Sequence, residues 1–185
     1  MSTTTAPAAS TTTWNIDSVH SSAQFKVKHM MISNVKGEFT SITGSLKYDG
    51  ETIANSYVEA SIDAKSINTR DAQRDAHLKS PDFFDVEKFP ALTFKSTRTS
   101  KKADGELAVA GELTIHGVTR PVVFEVEGPS APMKDPWGNI RLGLSASTRF
   151  NRKDFGLTWN SALETGGILV GDEVAITLDV QFVKA

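Results

Sequence analysis

From Trp14 onward the apolar residues of this chain recur at every second position, and that period restricts its fold more than any other feature. A period of two places successive side chains on opposite faces of a β-strand. An amphipathic helix needs spacings of three and four. The clearest stretch is 173–183. There Val174, Ile176, Leu178, Val180 and Phe182 share one face, and Ala175, Thr177, Asp179 and Gln181 share the other. Residues 106–115 repeat the pattern with Leu107, Val109, Leu113 and Ile115. Gly111 interrupts that stripe, which predicts a bend or a close approach of backbones. Shorter stripes run through Ala23–Phe25–Val27, Val58–Ala60–Ile62, Leu92–Phe94, Val122–Phe124–Val126 and Leu142–Leu144–Ala146–Phe150. Over 35–49 the phase changes between Phe39 and Ile42, which predicts a bulge or bend there.

Turn chemistry separates the stripes. Asp49-Gly50 and Asp104-Gly105 are short-turn dipeptides. His116-Gly117 divides 106–115 from 121–127, so those two strands should form a hairpin. Residues 128–139 carry three prolines and two glycines and predict a long surface loop. About eight strands with one apolar face each make an all-β domain, closed as a barrel or stacked as a sandwich.

Two segments do not alternate. Residues 69–80 predict a helix capped by Thr69, with Asp71 in the first turn and Lys79 in the last. Pro81 disfavours helical geometry at Ser80, so the helix should end there. Phe83, Phe84, Val86 and Phe89 follow within seven residues, too apolar for a solvated loop; they should plug one end of a barrel or cover a cavity. Residues 159–168 predict a second short helix ended by Gly166-Gly167. Residues 1–13 hold six threonines and neither charge nor aromatic. They read as a disordered tail without the basic and apolar regions of a secretory signal, ahead of one domain over 14–185. On that reading the chain is cytoplasmic.

Composition removes several function classes. A 185-residue chain that is 39% hydrophobic buries about 70% of its unfolded surface and needs no covalent staple. The absence of cysteine excludes disulfides, thiolate zinc sites and a cysteine nucleophile. Twenty Lys+Arg against 22 Asp+Glu give a net charge of −2, which supplies no overall electrostatic footprint for nucleic acid or anionic lipid. The longest apolar run, Leu107–Ala110, is far short of the roughly 20 residues of a spanning helix.

Little in the sequence points to catalysis. The four histidines, His20, His29, His77 and His116, never fall at i, i+4 on a helix, so no local metal site and no metal requirement are expected. Asp17, His20 and the neighbouring serines could be drawn as a triad. However, strand neighbours point to opposite faces, and the chain lacks a G-x-S-x-G elbow. Structural hydrogen bonding is the better reading. The segment Asn151–Leu157 reads as a strand exit, with Arg152 and Asp154 paired to close a barrel rim. The competing reading is an anionic-headgroup contact by Arg152 or Lys153. Small residues on the stripes (Ala60, Gly111, Gly143 or Ala146) favour an interior cavity over a filled core.

Several ordered motifs span the whole domain. Trp14-x-Ile16-Asp17-x-x-His20-Ser21 opens it, followed by Phe25-x-Val27-x-His29 and Val35-x-Gly37-x-Phe39. Next come His77-Leu78-Lys79-Ser80-Pro81-Asp82-Phe83-Phe84-Asp85 and Phe89-Pro90, then Gly111-x-Leu113-Thr114-Ile115-His116-Gly117-Val118-Thr119. Asn151-Arg152-Lys153-Asp154-Phe155-Gly156-Leu157-x-Trp159 and Val170-Gly171-Asp172-x-Val174 complete the set. In this order they resemble the YceI-like family over about residues 14–183. The resemblance implies an eight-stranded antiparallel barrel, similar to lipocalins, with one or two short covering helices. It also implies a long apolar channel for a polyisoprenoid, such as an isoprenoid quinone or prenyl chain, and no defined reaction. Many members are exported to the periplasm, whereas residues 1–13 do not look like a signal. Links to stress responses and quinone traffic follow only from the resemblance.

The expected function is therefore binding, storage or transport of a long-chain lipid, with no required cofactor. Phe25, Val27, Phe39, Ile62, Leu78 and Phe84 are expected in the wall or lid. So are Phe94, Leu113, Leu144, Ala146 and Trp159. His29, Arg152 and Asn160 are candidates for the headgroup. One rival is an enzyme acting on a lipid-like substrate through His20 or His29 and a carboxylate. Another is a packed barrel that acts through its surface, for example as a homodimer.

Overall fold

The structure, a computed structural model, describes residues 10–185. Its strands are β1 (Thr12–Ile16), β2 (Ser22–His29), β3 (Ser33–Phe39), β4 (Ile42–Tyr48), β5 (Tyr57–Asp63) and β6 (Ile67–Asn68). After the helix α1 (Ala72–Lys79) come β7 (Ala91–Lys101), β8 (Leu107–Ile115), β9 (Val118–Glu127), β10 (Met133–Lys134), β11 (Ile140–Asn151) and β12 (Val170–Lys184). All pairings are antiparallel and the sheet closes on itself, because β11 pairs with both β9 and β12. The ring has eight staves. β1 and β2 form one stave, interrupted by a 3-10 turn at Ser18–His20, and β3 and β4 form another. The bend within the second stave falls at Thr40–Ser41, where the sequence changes phase.

The alternation builds the ring. Trp14, Leu46, Leu142, Val180 and Phe182 pack together at one end. Leu107, Val109, Phe124, Val126 and Ala146 form a second cluster. A larger cluster around Phe39, Ile67, Val86, Ile115 and Phe155 closes the other end, which we call the lid end. The β8–β9 hairpin turns on His116-Gly117. Both residues have positive φ, 53° and 71°, the geometry that matches the twist of the flanking strands. Gly111 is the close approach its place in the stripe predicts. A Cβ there would collide with the Lys95 carbonyl and the Phe94 ring, so Phe94 occupies the space the glycine leaves.

Four expectations are corrected. First, the strand pattern starts inside the segment read as tail. Thr12 and Thr13 belong to β1, paired with Tyr48 and Lys47, and the Trp14 indole Nε1 donates to Thr12 Oγ1 at 2.8 Å; Ser10 and Thr11 have no regular structure, and residues 1–9 lie outside the described residues. Second, the helix cap is Asp71, which accepts from the Arg74 N–H. Thr69 is buried, with its N–H and hydroxyl both donating to Asp75. Third, residues 159–168 form no helix. Ala162 and Ile168 make an isolated bridge across a turn. Paired glycines and the polar Asn160-Ser161 favour turn hydrogen bonds over helical ones. Fourth, Gly143 alternates with the inward-facing Leu142 and Leu144, so it sits on the outer face and adds no interior space.

Candidate functional site

The barrel interior holds two cavities. The upper chamber, about 160 Å³, lies within the ring, and the strand alternation supplies its walls. Six of the expected wall residues line it: Phe39, Ile62, Phe94, Leu113, Leu144 and Ala146. Among the described residues no charged side chain lines it; its polar members, such as Gln24, Tyr48, Ser56 and Thr99, are neutral. The lower chamber, about 210 Å³, lies at the lid end. Phe25, Val27 and His29 reach it from β2, Leu78 from α1, and Phe84 and Trp159 from the loops. Together the two volumes fall within the roughly 300–1,000 Å³ typical of ligand pockets.

Phe39, Leu92, Ile115, Phe150 and Ile176 line both chambers, so a single layer of side chains separates them. Phe84 meets Phe39 edge-on, with centroids 5.8 Å apart, and ties the lid to that layer. Of these shared residues, only Phe39 stands among the expected wall residues. The other four lie on apolar strand faces, but alternation does not say at what depth a residue sits.

The lid is built from aromatic contacts. His77 lies edge-on to Phe83 at 5.1 Å and to Trp159 at 4.7 Å, while its Nε2 is 2.8 Å from the Asp82 carboxylate. Phe83 and Val86 are buried, as expected of a segment that covers a cavity. Arg74 and His77, which the sequence reading omitted, also line the lower chamber. Their i, i+3 spacing on α1, with Leu78 at i+4, was the available signal.

Two headgroup candidates are engaged in hydrogen bonds to the backbone. Arg152 is 3% exposed. Its Nε donates to the Gly171 carbonyl at 2.8 Å, and its Nη1 donates to the carbonyls of Leu157 and Trp159 at 2.6 and 2.9 Å. Its acidic neighbour is Asp172, 3.9 Å away, so the expected Arg152–Asp154 pair does not form. One guanidinium thus pins the β11 exit to the start of β12, because its planar fork can satisfy several carbonyls at once. Arg152 borders the lower chamber with most of its donors already occupied. Asn160 does not line either chamber. Its amide pairs with the Val170 backbone in both directions, at 2.7 and 3.0 Å. His29 does line the lower chamber.

The Asp17–His20 pair lies away from both chambers. His20 Nδ1 is 2.8 Å from Asp17 Oδ2, and the imidazole is exposed. Ser21 Oγ is bonded to the Gln181 backbone. The same Asp17 oxygen accepts from Arg141 at 2.6 Å, and Arg141 also donates to Asp135 at 2.7 Å. The Arg141 hydrogen bond, with a smaller part from His20, lowers the Asp17 carboxyl to about 2. This cluster fastens β1 and β11 on the outside of the barrel.

The family model of the YceI-like domain matches residues 14–182. A UPF0312 protein of Vibrio cholerae is 43% identical over 138 residues, covering 75% of this chain and 72% of the relative. A UPF0312 protein of Vibrio vulnificus is 42% identical with the same coverage. Among solved structures, Burkholderia cenocepacia BcnA superposes with a TM-score of 0.75 at 22% identity, covering 90% of this chain and 98% of BcnA. The Campylobacter jejuni YceI protein superposes at 0.70 with 29% identity, covering 85% and 90%. A polyisoprenoid-binding domain from Saccharophagus degradans superposes at 0.68 with 14% identity, covering 93% and 98%.

Proposed function

This chain belongs to the YceI-like family, and we propose that it binds, stores or transports a polyisoprenoid or similar long-chain lipid without reacting with it. One observation carries the reading: the barrel encloses an uncharged, mostly apolar chamber that continues across one layer of side chains into a second. Apolar area removed from water there contributes about 25 cal/mol per Å², offset by the entropy of ordering a flexible chain. The polyisoprenoid-binding domain from Saccharophagus degradans shares the fold and supports the same class of ligand.

The two chambers differ in charge, and that difference orients the ligand. The upper chamber takes the chain. The charged and imidazole residues along the lower chamber are Lys28, His29, Arg74, His77 and Arg152, with no carboxylate among its lining residues. Arg74 donates to Thr69 Oγ1 and to the Thr69 carbonyl, and Arg152 is occupied as described. His77 is held by Asp82, and Lys28 lies on the exposed face of β2, whose alternation turns His29 inward. His29 is therefore the residue we assign to the headgroup, donating to a quinone carbonyl or an anionic oxygen.

Native mass spectrometry of the purified protein, followed by solvent extraction and lipid analysis, tests the reading. A stoichiometric adduct that extraction identifies as a prenyl lipid is expected. Protein that carries none, and takes none up when a prenyl quinone is added, would refute it.

A further inference from the structure

The β2–β3 hairpin ends in an unusual tip. Met30, Met31 and Ile32 are 42%, 60% and 79% exposed. Met30 and Met31 both have positive φ, 50° and 64°. That conformation suits Asn and Gly and is costly for longer side chains. Large apolar groups thus stand in water, on backbone they do not favour. The tip is not isolated. The Met30 N–H donates to the Leu169 carbonyl at 2.8 Å, Met31 Sδ lies against Gly167, and the neighbouring Ile168 is itself 36% exposed.

A basic shoulder lies behind the tip. Lys26 and Lys36 are direct cross-strand partners on the outer face of the hairpin, and Lys28 is one step nearer the tip. Like charges directly opposite each other destabilise a sheet. Ion pairs among the described lysines involve Lys65, Lys102 and Lys153, not these three. Glu173 pairs with Arg149, Asp172 with Lys153, and Glu125, which lines the same outer groove as Lys26 and Lys36, with Lys102. Glu164 stands in the adjoining turn, and Glu38 lies two residues farther from the tip than Lys36. The chain's net charge of −2 conceals this local excess of positive charge.

The same hairpin walls the lower chamber. Phe25, Val27, His29 and Val35 face inward from it, and Leu169 and Val170 beside the tip line the chamber as well. We propose that the β2–β3 tip docks on the surface of an anionic lipid bilayer, with Met30, Met31, Ile32 and Ile168 in the interface and the lysines over the headgroups. Apolar side chains backed by lysines are the chemistry of peripheral binding to anionic membranes. Docking places the lower chamber against the bilayer, so a lipid enters or leaves without crossing bulk water. The route rests on the carrier reading above; the docking does not.

Co-sedimentation with vesicles of pure phosphatidylcholine, and of phosphatidylcholine with 30% phosphatidylglycerol, tests the proposal. Wild type should pellet with the anionic vesicles, less so at 0.5 M salt. Lys26→Gln/Lys36→Gln should weaken that binding by roughly 30-fold, from about 1 kcal/mol per lysine near the surface. Met30→Asn/Met31→Gly/Ile32→Ser should abolish it. That variant has turn residues that suit positive φ, so its melting temperature should hold or rise, which separates lost docking from lost folding. Uptake of a prenyl quinone from dilute ethanol, with no vesicles present, should be unchanged in both variants. Wild type that stays off both vesicles, or a tip variant that pellets like wild type, overturns the docking. So does a dimer seen by sedimentation velocity that disappears in the tip variant while no vesicle is bound; that result would give the surface to a second copy. Vesicle binding without quinone uptake would instead remove the carrier reading and leave the docking standing.

Discussion

The two ends of this barrel are held together by different physics. Around the upper chamber the walls are strand faces, and stability comes from apolar side chains that meet across the ring. No single contact there is indispensable, because dispersion and burial are spread over many atoms. Around the lower chamber the backbone leaves the sheet, and its polar groups need individual partners. Arg152 supplies them at the strand exit, the Thr69–Asp75–Arg74 set supplies them ahead of α1, and Asn160 supplies them to Val170. Both ends retain space for a ligand, but the strand walls of the upper chamber are diffuse in their bonding, and the lid end is specific.

The sharpest break of that contrast is Arg152→Ala. It leaves the carbonyls of Leu157, Trp159 and Gly171 without their donor in a buried site, and urea unfolding should show a loss of about 3–5 kcal/mol. Arg152→Lys should recover little of it, since one ammonium cannot reproduce the fork. Thr69→Val comes next. It removes a 4%-exposed hydroxyl that links Asp75 and Arg74, and the expected cost is about 2 kcal/mol.

How much of this was legible in the sequence follows the same division. Period two located the upper walls, because Phe94, Leu113, Leu144 and Ala146 each need only a strand to point inward. The closed ring came from the ordered motifs and their family resemblance. Alternation by itself allowed a sandwich, because pairing partners are distant in sequence, as with Leu142 and Phe182. The lid was legible in its aromatics but not in its polar bonds. Arg152 beside Asp154 suggested a local ion pair, whereas its partners are backbone carbonyls up to 19 residues away. A carbonyl acceptor leaves no mark on residue type. Thr69 was expected as the cap and Asp71 in the first turn; Asp71 caps instead, because Thr69 is engaged inside with Asp75. The β2–β3 tip was hidden for another reason, since net charge averages away a local cluster of lysines.

A smaller effect concerns the outer cluster at β1 and β11. Asp17 titrates at about 2 in the folded protein, held there chiefly by Arg141, against 3.8 ordinarily. Its folded value is depressed, so its contribution is complete above about pH 5 and lost as pH falls through 4 toward 2. Asp17→Asn should cost roughly 1–2 kcal/mol at pH 7 and nearly nothing at pH 2. A variant whose deficit is equal at both pH values would show that the carboxylate's charge does not matter.

The smallest expected change in stability tests the central claim most directly. Ala146 is buried and lines the upper chamber. If that chamber is ligand space, an indole at this position enters a volume that lipid would otherwise fill. Ala146→Trp, measured on delipidated protein because bound ligand itself raises stability, should then melt at or above the wild-type temperature while its uptake of a prenyl quinone falls at least tenfold. In a close-packed interior the same substitution overpacks and costs about 1–3 kcal/mol or more. A strongly destabilised Ala146→Trp, together with wild type that takes up no prenyl lipid, would contradict the proposal that this barrel carries a lipid.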